Sequence, residues 1–268
     1  MTLTEADNAV PFQRDDAEII LKAREVGVVY PGGTVALDNV KLDVPTGRLT
    51  ALLGPSGCGK TTLLKVIAGL IEPSSGSIQV RDVEIDGPGP DRALVFQDFA
   101  LLPWATVLDN VAFGLRARGV GRQERNEIAR HYVHEVGLAG FEDKYPHELS
   151  GGMRQRTGLA RALTVKSDIL MMDEPFSAVD EQMRRKLQED LLDLLKIERK
   201  TVIFVTHSIE EAVYLADQVV ILSGQPGSVA NIIYPDIDRS GSVDVIRRQP
   251  RYIELVDEIW GSLKRYVE

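Results

Sequence analysis

The sequence predicts an α/β domain built on a mostly parallel sheet, with an antiparallel β arm near its front and a helical insertion in its middle. Three observations carry this expectation. Continuously apolar runs such as Ile169-Leu170-Met171-Met172 suit strands buried on both faces of a parallel sheet. Such runs alternate with segments of helical periodicity, the pattern of strands joined by crossover helices. The stretch from about 98 to 158 changes character, with helical periodicity, charges on one face and few strand signals.

Composition narrows the class. The chain has 268 residues, 44% hydrophobic and 26% charged, with 31 Lys+Arg against 40 Asp+Glu. That balance excludes a disordered or low-complexity chain and supplies ample apolar material for a core. No apolar run is long enough to span a bilayer, which takes about 20 residues. The first 16 residues are polar and acidic without a signal-peptide core, so export is not expected. The lone cysteine, Cys58, fits a reducing cytosol. A formal charge of −9 argues against wrapping by nucleic acid.

In chain order, residues 1–17 read as a loose tail. Strand-like runs at 19–30 and 35–44 are broken by the turn Pro31-Gly32-Gly33. A strand at 48–53 meets a glycine-rich loop, and a helix is expected at 61–70. Short strands follow at 77–80, 83–85 and 93–96, then helices at 107–118, 123–136 and 152–163. Thr106 with Asp109 marks one helix start and Gly137 a stop. Next come a strand at 168–172, a helix at 181–198, a strand at 201–206, a helix at 209–216 and a strand at 218–222. The core is thus expected over 18–224, with 225–268 a C-terminal extension. In that extension Tyr252, Leu255, Val256, Ile259, Trp260 and Leu263 form an apolar stripe at helical spacing, read as packing against the core.

The loop is the strongest local signal. Gly54-Pro55-Ser56-Gly57-Cys58-Gly59-Lys60-Thr61 matches G-x-x-x-x-G-K-[ST] between an expected strand and an expected helix. Glycines let backbone N–H groups curl around an anion, and the helix start adds partial positive charge. Lys60 is placed to reach the terminal phosphates and Thr61 to offer its hydroxyl to Mg²⁺. Cys58 fills a free position of the pattern, with no flanking histidine to activate it.

A second signal is the apolar run 169–172 ending in Asp173-Glu174-Pro175. Asp173 is placed to anchor the metal through a water, and Glu174 to polarise a water for attack on the γ-phosphate. Leu149-Ser150-Gly151-Gly152-Met153 opens a helix beside Arg154 and Arg156, a further anion site in which Ser150 also serves as N-cap. Gly54, Gln97, Asp173, Glu174 and His207 all fall at the carboxyl ends of expected strands, where open α/β sheets bind ligands. His131 and His134 lie three apart on an expected helix and, lacking nearby partners, read as solvated rather than metal-binding.

From about residue 19 to 224 the chain resembles the ATP-binding-cassette (ABC) ATPases, carried by the phosphate loop and the Ser150-Gly151-Gly152 segment together. The resemblance implies a P-loop NTPase core that binds ATP and Mg²⁺. It implies that Tyr30 stacks on adenine and that residues 54–62, Thr62 included, hold the nucleotide. Gln97 would contact Mg²⁺ and sense a membrane partner, and His207 would contact the γ-phosphate. Ser150, Gly151, Gly152 and Met153 would act as the signature segment, with Met153 in place of a usual glutamine and its N–H still available. Asp180, in Ser177-Ala178-Val179-Asp180, would lie across an interface between two copies of the chain.

Leu101-Leu102-Pro103-Trp104 after Gln97, followed by Asp109-Asn110-Val111, resembles the nitrate/sulfonate/taurine importer branch. An exposed Pro-Trp beside a helical insertion is a surface onto which another protein's helix can dock; the alternative is Trp104 packed within the insertion. The branch implies permease partners, a periplasmic or extracellular solute-binding protein, and a peripheral position on the cytoplasmic membrane face. The competing readings are a soluble ABC-type ATPase acting on nucleic acid or the ribosome, and a lipid-trafficking cassette. The short interval from Lys60 to Ser150, the single phosphate loop and the acidic charge oppose the first. The Leu-Leu-Pro-Trp segment opposes the second.

Overall fold

The computed structural model describes residues 18–266 apart from 178, 180 and 199. In chain order, β1 (Ile19–Val29) and β2 (Val35–Pro45) form a long hairpin, and β3 (Leu49–Leu53) leads into α1 (Lys60–Ile67). Then follow β4 (Ser75–Val80), β5 (Val83–Glu84) and β6 (Arg92–Val95). The insertion contains α2 (Val107–Val111), α3 (Phe113–Ala117), α4 (Arg122–Glu135) and α5 (Gly151–Thr164). The chain returns through β7 (Ile169–Asp173), α6 (Glu181–Glu198), β8 (Thr201–Thr206), α7 (Ile209–Leu215) and β9 (Gln218–Leu222). It ends with β10 (Val229–Ile233), α8 (Val243–Ile246) and α9 (Pro250–Lys264).

Among the described residues two sheets form. One is antiparallel, ordered β2-β1-β4-β5; the other is ordered β10-β9-β3-β8-β7-β6. From β9 to β6 every pairing is parallel, and β10 joins the edge antiparallel to β9. Strands β7, β8 and β9 are buried along their whole length, as their continuous apolar sequences require. Their side chains alternate between two cores. Leu53, Leu170, Met172, Val202, Phe204 and Ile221 face the core shared with the insertion and with α6, α7 and α9. Leu52, Met171, Ile203, Val205 and Leu222 face the core shared with α1 and the antiparallel sheet.

Four features differ from the sequence expectation. The helix expected over 107–118 is two short pieces hinged at Ala112, where Gly114 passes Val165 so closely that a Cβ would lie 2.3 Å from Cγ1. The strand expected at 83–85 is a two-residue edge. The sheet runs past residue 224, where the sequence reading ends the core, because β10 pairs with β9. Trp260 leaves the packed stripe. Tyr252, Leu255, Ile259 and Leu263 are buried and Val256 packs against them, whereas Trp260 is 58% exposed on the far side of α9.

Candidate functional site

The loop 54–59 joins the end of β3 to the start of α1, and its glycines are required by space and by backbone angle. Gly59 caps α1 in the left-handed region, at φ +95°, and a Cβ there would lie 2.6 Å from Leu37 Cδ2 and 2.8 Å from the Ala36 carbonyl. A Cβ on Gly54 would lie 2.7 Å from Cys58 Sγ. Lys60 is 7% exposed, and its ammonium donates to the Gly54 carbonyl at 2.7 Å and the Pro55 carbonyl at 2.8 Å. The loop therefore folds around a cation anchored by backbone dipoles, and the Cys58 N–H donates to the Pro55 carbonyl at 3.3 Å. Cys58 is enclosed, and burial pushes its thiol pKa up, which opposes thiolate reactivity. On the flank of the loop, the Tyr30 hydroxyl sits 3.0 Å from Thr62 Oγ1, with its ring 38% exposed at the end of β1.

Thr61 Oγ1 donates to Asp173 Oδ1 at 3.1 Å, joining the first turn of α1 to the end of β7. Burial pushes the Asp173 carboxyl upward, opposed by the Thr61 hydrogen bond, with neighbouring Glu174 adding a smaller upward push. Glu174 holds a left-handed φ of +47°, fixed by its N–H donating to the Val205 carbonyl at 3.1 Å. This turn aims its carboxylate at two side chains from other strand ends. Gln97 Nε2, after β6, donates to Glu174 Oε2 at 3.4 Å, and His207 Nδ1, after β8, lies 3.5 Å from the same oxygen. Residues following β3, β6, β7 and β8 thus meet on one rim of the parallel sheet. The rim presents hydroxyl and carboxylate oxygens, an amide, an imidazole and a buried ammonium. Thr61 and Asp173 are hard oxygen donors of the kind that hold Mg²⁺ together with substrate phosphates rather than in an all-protein cage.

Beneath His207 lies a network that sequence reasoning missed. Thr206 Oγ1 donates to Glu211 Oε2 at 2.6 Å, Gln188 Nε2 donates to Glu211 Oε1 at 3.3 Å, and the Arg184 guanidinium lies 3.8 Å away. A cleft of about 50 Å³ between this network and the rim is lined by Glu174, Ser177, His207 and Glu211 among others. Arg161 was missed as well. Its guanidinium donates to the carbonyls of Phe99 at 2.6 Å and Ala100 at 2.8 Å, both left-handed residues, and so ties α5 to the loop after Gln97. The available signal was an arginine on the inner side of a helix facing a loop, too common to single out.

Not every expected residue joins this cluster. Ser150 caps α5, its Oγ accepting from the Met153 N–H at 3.3 Å, and Arg154 donates to the Leu149 carbonyl at 2.6 Å, so these bonds stay within the helix start. Arg156 turns away, to Asp190 at 2.7 Å. Asp180 lies outside the described residues. Trp104 is 75% exposed rather than packed within the insertion. Asn110, fully buried, holds the chain on either side of it, accepting from the Leu102 N–H at 2.8 Å and donating to the Leu102 and Ala105 carbonyls. His131 and His134 are both exposed.

Comparison with known proteins agrees with this geometry. Residues 37–177 match the family model of the ABC transporter. The chain is 47% identical over 255 residues to the taurine import ATP-binding protein TauB of Burkholderia pseudomallei, covering 92% of this chain and 98% of that one. It is 45% identical over 259 residues to the uncharacterized ABC transporter ATP-binding protein MJ0412 of Methanocaldococcus jannaschii, covering 94% and 97%. Among solved structures, the dimeric post-hydrolysis state of the ATP-binding cassette MJ0796 bound to ADP and Pi is similar with a TM-score of 0.72. That match is at 30% identity and covers 81% of this chain and 99% of that one. The family match over residues 37–177, together with relatives 45–47% identical over more than nine-tenths of the chain, makes this chain a member of the ABC transporter family, an ATP-hydrolysing subunit.

Proposed function

We propose that this chain is the ATPase subunit of an importer for a small anion such as taurine, another sulfonate or nitrate. The observation that carries the hydrolytic reading is the convergence of Gln97 and His207 on one oxygen of Glu174, beside the Thr61–Asp173 pair. In this reading the N–H groups of residues 54–62 and the Lys60 ammonium hold the phosphates, and Tyr30 covers the adenine. Lys60 leaves its two carbonyls for phosphate oxygens, a stronger charge-assisted pairing. Thr61 and Asp173, with Gln97 nearby, would hold Mg²⁺, which when bound would neutralise phosphate charge. Glu174 accepts the proton of the attacking water, and its fixed backbone turn limits the geometries it samples. His207 orients Glu174 and faces the γ-phosphate, supported from below by Thr206 and Glu211.

The substrate class rests on the taurine-import relatives together with the Leu-Leu-Pro-Trp segment, which presents Trp104 to solvent as a docking point for permease subunits. The same reading places a solute-binding protein upstream and the chain on the cytoplasmic face of the membrane.

The test of the hydrolytic centre is Glu174→Gln, which keeps shape but cannot take the proton. Hydrolysis should fall by about 10²–10⁴ while ATP still binds, whereas Lys60→Ala should lose nucleotide binding itself. Turnover near the parental rate in Glu174→Gln would move the base elsewhere. Taurine-dependent stimulation of ATPase in the reconstituted complex, against nitrate as the alternative, tests the substrate.

A further inference from the structure

We infer that the turn between β9 and β10, residues 223–228, is a strap that sets the shape of the phosphate loop, with Gln225 and Gly227 as its positioning residues. The inference rests on the reading that residues 54–61 bind the nucleotide phosphates. Gln225 Nε2 donates to the Gly57 carbonyl at 2.8 Å. In a trans peptide the carbonyl and the next N–H point in opposite directions, so anchoring this carbonyl outward turns the Cys58 N–H inward. That N–H donates across the loop to the Pro55 carbonyl at 3.3 Å.

Gly227 presses on the next peptide of the loop, between Cys58 and Gly59. A Cβ on it would lie 2.0 Å from the Cys58 carbonyl oxygen, an overlap with backbone that no rotamer relieves. The strap is itself anchored. Gly227 N–H donates to the Ala36 carbonyl at 3.0 Å, and the Gly227 carbonyl accepts from Asp38 N–H at 2.9 Å. Ala36 and Leu37 are also the atoms against which Gly59 packs, so β2 supports the strap and the end of the phosphate loop together. Ser223 and Ser228 close the turn, with their hydroxyls 3.0 Å apart and Ser223 N–H donating to the Ser228 carbonyl at 2.9 Å. The loop is therefore held by a segment some 170 residues away in sequence, and the last turn of the chain reaches that segment where the Tyr266 carbonyl approaches Gly224.

Two glycines in one turn make the test internally controlled. The full chain and its variants are titrated with ADP, which binds without turnover, and steady-state ATP hydrolysis is measured in parallel. Gln225→Ala should weaken ADP binding and raise KM by about fivefold, the range of one lost hydrogen bond, with kcat within twofold. Gln225→Glu, which keeps the length but has no donor, should do no better. Gly227→Ala should weaken binding at least tenfold, and Gly224→Ala, whose Cβ meets nothing nearer than 3.8 Å, should match the parent. Should Gly227→Ala fail to fold, the exposed Gln225 variants decide alone. Unchanged ADP affinity in Gln225→Ala, alongside loss of binding in Lys60→Ala, overturns the strap and leaves the phosphate-loop reading standing. Retained binding in Lys60→Ala overturns both.

Discussion

Glu211 occupies the first turn of α7, four residues after His207, and the fold encloses its carboxylate at 7% exposure. Hydrogen bonds from Thr206 and Gln188 and the nearby Arg184 guanidinium do not offset that burial, which pushes its pKa above the ordinary 4.5. The unfolded chain releases this proton near the ordinary value and the folded chain only at higher pH. Between the two, the native state binds more protons, so the carboxylate costs stability as pH rises through that window. Glu211→Gln lacks the titration. Its stability relative to the parent should rise from about pH 4.5 upward and level off once the folded-state carboxyl is ionised. Denaturant unfolding of both proteins from pH 4.5 to 8 measures the difference, and a gap that does not change with pH contradicts this account. At this scale the groups proposed to touch nucleotide stand out in the sequence because that chemistry demands particular types at particular spacings. Glu211 and Arg161 do not. Arg161 meets backbone carbonyls, and Glu211 meets a threonine, a glutamine and an arginine from separate elements, in no spacing that marks them in the sequence.

The elements follow from periodicity wherever a run is fully buried or strictly amphipathic, and depart from it at edges. Strands β7, β8 and β9 were visible because both faces are enclosed, so every position is apolar. β10 was not visible. It is an edge strand whose middle positions, Ala230 and Asn231, are exposed, and Val-Ala-Asn-Ile-Ile carries no clean alternation. The break between α2 and α3 falls at Ala112, two residues before Gly114 passes close to Val165, a tertiary contact that helical spacing cannot register. In α9 the stripe was legible, but its width was overestimated by the inclusion of Trp260. The two faces predict opposite outcomes. Leu255 is fully buried, so Leu255→Ala should cost about 2–5 kcal/mol. Trp260→Ala, on the exposed face, should change stability by less than about 0.5 kcal/mol. Denaturant midpoints of the two variants separate the cases, and a large loss at Trp260 would mean that this face is covered in solution.

At the scale of the whole molecule, the proposed reading gives one chain two anion-receiving helix starts but one set of base and metal-binding groups. The start of α1 is joined to Asp173 through Thr61. The start of α5 keeps its hydrogen bonds to itself, with Ser150 exposed and capping its own helix. The motif at 150–153 was legible in the sequence, yet no sequence pattern says which molecule a helix start faces. In the proposed reading a complete site requires a second copy, whose Ser150-Gly151-Gly152 would face the γ-phosphate held by Lys60 and Thr61. Two ATP molecules would sit between the copies in this arrangement, and hydrolysis would separate them to drive a membrane partner. The similar cassette MJ0796 bound to ADP and Pi is dimeric. Each chain bears a formal charge of −9, so two copies repel at long range and association depends on what the nucleotide bridges. The Glu174→Gln chain should therefore sediment as a monomer alone and at twice that mass with saturating MgATP. Ser150→Arg in the same background should bind ATP through its intact phosphate loop and remain monomeric, because the cationic side chain blocks the seam. An ATP-saturated Glu174→Gln chain that stays monomeric at micromolar concentration would remove the shared site and return the whole reaction to a single subunit.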